Sequence, residues 1–156
     1  MKANKEMRAA LLAAALCAAS ALSAAQDGPA PQPQTTSSGI EYVSGGVGQL
    51  QRQAMEAMSQ DYNLRLTFAR RGTGAYLADV KVTVENMKKE TMLDVVSSGP
   101  MLFAKLPAGS YRVAAELGGQ RQVQQATIKP GRPRGLIYYF PRQGNDATPA
   151  GQRGGG

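Results

Sequence analysis

Between residues 62 and 140 the chain alternates apolar and polar side chains. Tyr62, Leu64, Leu66 and Phe68 take turns with Asn63, Arg65, Thr67 and Ala69. Successive side chains of a strand point to opposite faces, so this segment reads as a strand with one apolar and one wet face. Val80, Val82 and Val84 repeat the pattern against Lys81, Thr83 and Glu85. Residues 91–96 form a more mixed run, with Leu93 and Val95 on one side, and residues 101–106 follow the Gly99-Pro100 turn. Tyr111, Val113, Ala115 and Leu117 alternate with Arg112, Ala114 and Glu116. Gly118-Gly119 then predicts a two-residue hairpin into 120–128, because such a turn demands positive φ. After Pro130-Gly131, Leu136, Tyr138 and Phe140 close the series. Short amphipathic strands with no crossover helices between them indicate an antiparallel sheet protein. The expected fold is mainly β: a seven-stranded antiparallel Greek-key β-sandwich with one short N-terminal amphipathic helix and disordered tails.

The period changes from 2 to 3.6 in residues 47–60. Leu50, Ala54, Ala57 and Met58 fall on one helix face, and Gln49, Arg52, Gln53, Glu56 and Gln60 take the others. The stripe is thin, so the helix is expected against the domain rather than at its centre. Residues 26–38 combine three prolines with small polar residues, and 141–156 are similar in character, so neither can build a core. The predicted organisation is a leader over 1–25, a Pro/Gln/Ser linker over 26–40, a helical segment over 41–61, the sandwich over 62–141 and a tail over 142–156.

The leader follows from Lys2, Lys5 and Arg8 ahead of a short Ala/Leu run and the small residues Ser23, Ala24 and Ala25. The run is too short to span a bilayer as a helix. Leu16 before Cys17 argues against lipidation, and no second apolar stretch follows. The expectation is cleavage near Ala25 and a periplasmic or secreted product with no stable membrane insertion. From Gln26 onward the chain carries 15 Lys/Arg against 10 Asp/Glu, a net charge of +5, and neither Cys nor His. Its scattered cations lack the density of a nucleic-acid surface, so no nucleic-acid partner is expected and anionic envelope components are favoured.

Leu106-Pro107-Ala108-Gly109-Ser110-Tyr111-Arg112-Val113 resembles the Leu-Pro-x-Gly-x-Tyr-x-Val hallmark of carboxypeptidase regulatory-like (transthyretin-like, or prealbumin-like) β-sandwich domains. Pro107 presets a turn, Gly109 is expected in the left-handed region, and Tyr111 and Val113 begin an inward row. Residues 77–84, the turn at 98–100 and Gly118-Gly119 resemble further parts of that pattern. The sequence departs from it at Met101 and Lys105, and residues 120–125 are unusually polar for a strand. The pilin-type Cna-B sandwich shares the turn and often carries a Lys–Asn isopeptide, for which Lys81 and Asn86 are the available residues. The resemblance implies an accessory or structural sandwich and not an enzyme. The hydroxyisourate hydrolase branch relies on His residues and a terminal Tyr-Arg-Gly-Ser, and neither occurs here.

Without His or Cys a zinc site lacks its usual ligands, and the acid pairs Glu90/Asp94 and Asp79/Glu85 are expected to face water. No cofactor or metal is expected. Ser97, Ser98 or Ser110 with Lys105 could compose a Ser–Lys dyad, although all sit where turn chemistry explains them. Gly45-Gly46-Val47-Gly48 before the helix lacks the Lys-Ser/Thr of a phosphate loop. In Tyr138-Tyr139-Phe140 one face must be core, which leaves Tyr139 as the candidate partner contact. The expected function is that of a non-catalytic binding or structural module of the bacterial envelope, contacting a protein or glycan. The polar segment 120–127 is a candidate strand-accepting edge. A small-ligand carrier and a carboxylate-only hydrolase are the alternatives.

Overall fold

A computed structural model describes residues 28–142. The leader over 1–25 and nearly all of the tail over 142–156 lie outside them. Strands β1 (Gln34–Thr35) and β2 (Glu41–Gly45) come first, followed by helix α1 (Gly48–Met58) and a 3-10 turn (Ser59–Asp61). Then come β3 (Leu64–Arg70), β4 (Val80–Asn86), β5 (Thr91–Ser97), β6 (Met101–Ala104), β7 (Gly109–Leu117), β8 (Gln120–Ile128) and β9 (Arg134–Phe140). They form a five-stranded sheet ordered β1-β2-β6-β3-β9 and a four-stranded sheet ordered β5-β4-β7-β8. The mainly β sandwich predicted from alternation is thus the architecture observed.

Four details differ from expectation. The described residues contain nine strands, because β1 and β2 precede the seven that alternation marks. One pair, β3 with β9, is parallel and in register from Leu64↔Arg134 to Arg70↔Phe140. The chain first returns to this sheet at β6, antiparallel to β3, then leaves it for β7 and β8 and comes back at β9 in the direction of β3. Residues 28–40 also do more than link: Pro31 and Ile40 are buried, and Gln34–Thr35 pairs with β2. Lastly, the helix buries a different stripe. Met55 is fully buried and Met58 half-buried, whereas Leu50 is 62% exposed. The cause is Gln51. Its amide oxygen accepts the Gly46 and Val47 N–H groups at 3.2 and 3.1 Å, and its Nε2 donates to the Pro29 carbonyl at 2.9 Å. Val47, the N-cap, offers no side-chain cap of its own, so Gln51 must face inward and the helix turns with it.

The interior between the sheets takes the inward rows of every long strand: Leu64, Leu66 and Phe68 meet Val80, Val82 and Val84 across the sandwich. Tyr138 crosses it, donating its hydroxyl to the Val113 carbonyl at 2.6 Å, and burial pushes that phenol's pKa far above its ordinary value. Tyr111, in the Leu-Pro-Ala-Gly segment, donates back to the Pro107 carbonyl at 2.6 Å and fixes that corner. Gly109 has φ +153° rather than a left-handed helical value, because it already begins β7 and pairs with Ile128. The Gly118-Gly119 hairpin has φ +57° and +78°, as a two-residue turn requires. At Gly99 a Cβ would lie on the Gly45 carbonyl, so the turn into β6 passes directly against β2.

A second, smaller cluster lies outside the sandwich. Val43, Met55, Tyr62, Met101 and Phe103 pack between α1 and the outer face of the five-stranded sheet. Strand β6 is therefore buried on both sides, Leu102 and Ala104 facing the interior and Met101 and Phe103 facing the helix.

Candidate functional site

Helix α1 covers the β2–β6 half of its sheet and leaves the β9 half open. Outward-pointing residues there follow from period 2: Arg65, Thr67 and Ala69 on β3 lie beside Gly135, Ile137 and Tyr139 on β9. Ala69 is also bridged to Tyr76, so Tyr139, Ala69 and Tyr76 form one cross-strand row. Ala69 is buried, while Ile137, Tyr139 and Tyr76 are 50%, 45% and 53% exposed. Arg52 of α1 places its guanidinium 5.4 Å from the Tyr76 ring centre. On the same face, Arg65 has a buried Nε with no hydrogen-bond partner among the described residues. Tyr139 is thus placed on the outer face, within an apolar patch bordered by two arginines. Its neighbour Tyr76 gave no alternation signal, because it joins the sheet through a single bridge.

The flank formed by β8 and β9 is closed by side chains. Gln122 Nε2 donates to the Tyr139 carbonyl at 2.7 Å and Gln124 Nε2 to the Ile137 carbonyl at 2.9 Å. These glutamines occupy inward positions of β8, where apolar residues would normally sit, and they satisfy the outward carbonyls of edge strand β9. The polarity of 120–125 is explained by this bridging. Strand β8 does lie at a sheet edge, but the neighbouring β9 edge has two carbonyls already occupied and is poorly suited to an added strand.

A polar cluster borders the helix layer. Lys105 Nζ donates to Glu41 Oε1 at 2.9 Å and lies 5.1 Å from the Tyr62 ring centre. The Tyr62 hydroxyl donates to the same carboxylate oxygen at 3.1 Å. Hydrogen bonds from Lys105 and Tyr62 hold the Glu41 carboxyl below its usual range, while burial and then Glu41 push the Tyr62 phenol up to about 12. The cluster therefore presents a carboxylate that is a weak base and a phenol that keeps its proton. Beside it Asn63 clamps the Leu106 backbone through both amide atoms, at 2.7 and 2.8 Å. Tyr62, Asn63 and Lys105 line a cleft of about 370 Å³ that also involves Asp61, Gly131 and Arg132.

The other sequence candidates do not converge. Ser97 is buried and donates to the Gly99 carbonyl at 2.7 Å, Ser98 pairs with Ser44 at 3.0 Å, and Ser110 pairs with Thr127 at 3.4 Å. None meets Lys105, whose ammonium is held by Glu41. Lys81 and Asn86 sit five positions apart on β4, roughly 16 Å along a strand. Lys81 faces Asp94 at 4.0 Å, and Asn86 donates to Glu90 at 2.6 Å within its turn. Of the two acid pairs, Asp94 and Glu90 are thus engaged separately, and Asp79 lies at a left-handed position before β4. No group of three or more His, Cys, Asp or Glu residues able to hold a metal occurs among the described residues. No helix among them is long and apolar enough to cross a membrane.

No protein-family model matches the chain. No curated protein matches it. Among solved structures the chain is similar to that of Klebsiella pneumoniae 5-hydroxyisourate hydrolase, with 21% identity and a TM-score of 0.41 over 53% of this chain and 86% of the other. That protein is named as an enzyme, which corrects the expectation from the sequence that this chain is not one; a fold by itself does not decide whether a chain carries a reaction. The resemblance to transthyretin-like domains holds at the level of the two-sheet sandwich, which the structure displays directly.

Proposed function

We propose that the protein is an exported binding module of the bacterial cell envelope, and that it docks a partner protein on the uncovered half of the five-stranded sheet. The observation that carries this reading is the exposed row of Tyr139 and Tyr76 beside Ile137, left open where α1 stops. Three large apolar side chains on one rigid face offer the aromatic anchors that dominate interface energetics. Arg52 and Arg65 border the patch, so the partner segment it fits is apolar with acidic neighbours. The two occupied carbonyls of β9 direct docking to this side-chain face rather than to strand addition on β9.

The test is a photo-crosslinking amino acid introduced at position 139 and, as a control, at Val123 on the outer face of the other sheet, with envelope extract as the source of partner. A protein captured from position 139 but not from 123, and lost when Ile137 and Tyr76 are changed to Ser, supports the reading. Equal capture from both positions, or none, refutes it. An N-terminal sequence of the exported chain beginning near Gln26 is expected from the same cells.

A further inference from the structure

A second site is built at the turn between β8 and β9, from residues the docking face does not use. Pro130 and Gly131 occupy the corner, Gly131 has φ +70°, and the Arg132 N–H donates to the Lys129 carbonyl at 3.2 Å. Proline followed by a glycine of positive φ is the arrangement of a type II turn. It makes Lys129 and Arg132 bridge partners, so their side chains leave the ribbon on one side. Strand alternation extends that side in both directions: Thr127 and Gln125 lie two and four residues before Lys129, and Arg134 lies two after Arg132. These five residues, with Pro133, line one cleft of about 370 Å³.

Among the described residues no acid compensates the charge of this cleft. Its lining holds three cations and no acid. Lys81, Lys105 and Arg121 each face a carboxylate at 4.0 Å or less, whereas Lys129, Arg132 and Arg134 make no ion pair among the described residues. Three cations held on one face suit a dianion better than a single carboxylate, and guanidinium forks match the oxygens of a phosphate. The Thr127 hydroxyl and Gln125 amide add neutral donors of the kind that orient such a group. Arg132 also lines the adjoining cleft with Lys105, which provides room for what the phosphate is attached to.

We infer that the cleft of Lys129, Arg132 and Arg134 is a binding site for a phosphate group, carried either by a lipid headgroup or by a soluble phosphoester. The probes are inorganic phosphate in calorimetric titration, and vesicles of phosphatidylglycerol or phosphatidylcholine in co-sedimentation. Each is applied to the full chain and to two variants of equal charge loss: Lys129→Gln/Arg132→Gln/Arg134→Gln, and the control Lys81→Gln/Lys88→Gln/Lys89→Gln. The expected result is phosphate binding that weakens at least tenfold in the first variant and less than twofold in the control. Anionic vesicles sedimenting the protein, with phosphate as competitor, identify the lipid source; phosphate binding without sedimentation identifies the soluble one. Equal weakening in both variants, which would report net charge alone, overturns the inference, as does failure of both probes to bind. Because the three side chains are exposed, the fold is expected to survive their replacement. Should the triple variant misfold, Arg132→Gln alone is expected to weaken phosphate binding several-fold, and an unchanged affinity in that single variant overturns the inference equally.

Discussion

Two apolar layers hold this molecule, and they are made differently. The layer between the sheets is built of Leu, Val, Ala and aromatic residues on regular inward rows, with Phe68 and Tyr138 ring centres 6.0 Å apart. The layer beneath α1 is five buried residues, two of them methionines, with Tyr62 and Phe103 ring centres 6.2 Å apart. β-branched residues suit a pleated surface with fixed neighbours. Flexible methionine suits the irregular gap between a helix and a twisted sheet. The first layer draws on strands from along the whole chain. The second depends on one helix, whose start is tied by Gln51 and whose lower border is tied by Glu41, Tyr62 and Lys105. The contrast separates a sandwich core from an added covering that decides how much of one sheet is left to bind.

The sharpest way to break the contrast is Phe68→Ala. Removing a fully buried ring from the interior is expected to cost about 3–5 kcal/mol and to unfold both layers together. Urea denaturation followed by far-ultraviolet and tyrosine signals measures this, and loss of the sandwich with the helix layer intact would contradict it. Met55→Ala comes next. Met55 is fully buried in the small cluster, and about 2 kcal/mol is expected, the low end for a buried methionine because a single helix over a sheet can settle into the gap. Amide exchange should quicken in α1 and β2 while β4 and β7 remain protected. Uniform quickening would mean that the layers form one cooperative unit.

The smallest effect belongs to Glu41. Its pKa is held below 4.5 by Lys105 and Tyr62, so the unfolded chain takes up the proton first as pH falls. Its stabilising contribution is complete above about 4.5 and is lost on passing down through the lower folded value. Exchange protection of α1 should therefore decline as pH falls below the ordinary carboxylate range, and Glu41→Gln should flatten that decline. An unchanged profile in the variant would mean that Glu41 does not tie the helix border.

The strands were legible because period 2 reports a face that must be dry. Val82 or Leu66 could not be exposed without losing burial worth about 1.5–3 kcal/mol each. Tyr139 was legible for the same reason, as the odd residue between two buried aromatics. Strand β2 was hidden because its five residues mix faces buried by different layers, and β1 because two residues carry no period. The departures at Met101 and Lys105 were visible as anomalies, yet their meaning required the helix: Met101 packs beneath it, and Lys105 joins Glu41 at its border. The polar residues of β8 were visible in the same way, and only the neighbouring β9 edge explains them.

The order of amino acids by itself determined the sandwich, the hairpin at Gly118-Gly119 and the outward position of Tyr139, since each depends on neighbours a few residues away. Which strands became edges and which half of a sheet the helix covered were decided by tertiary structure alone. Those properties arise between segments far apart in the chain, and local periodicity holds no information about such distances.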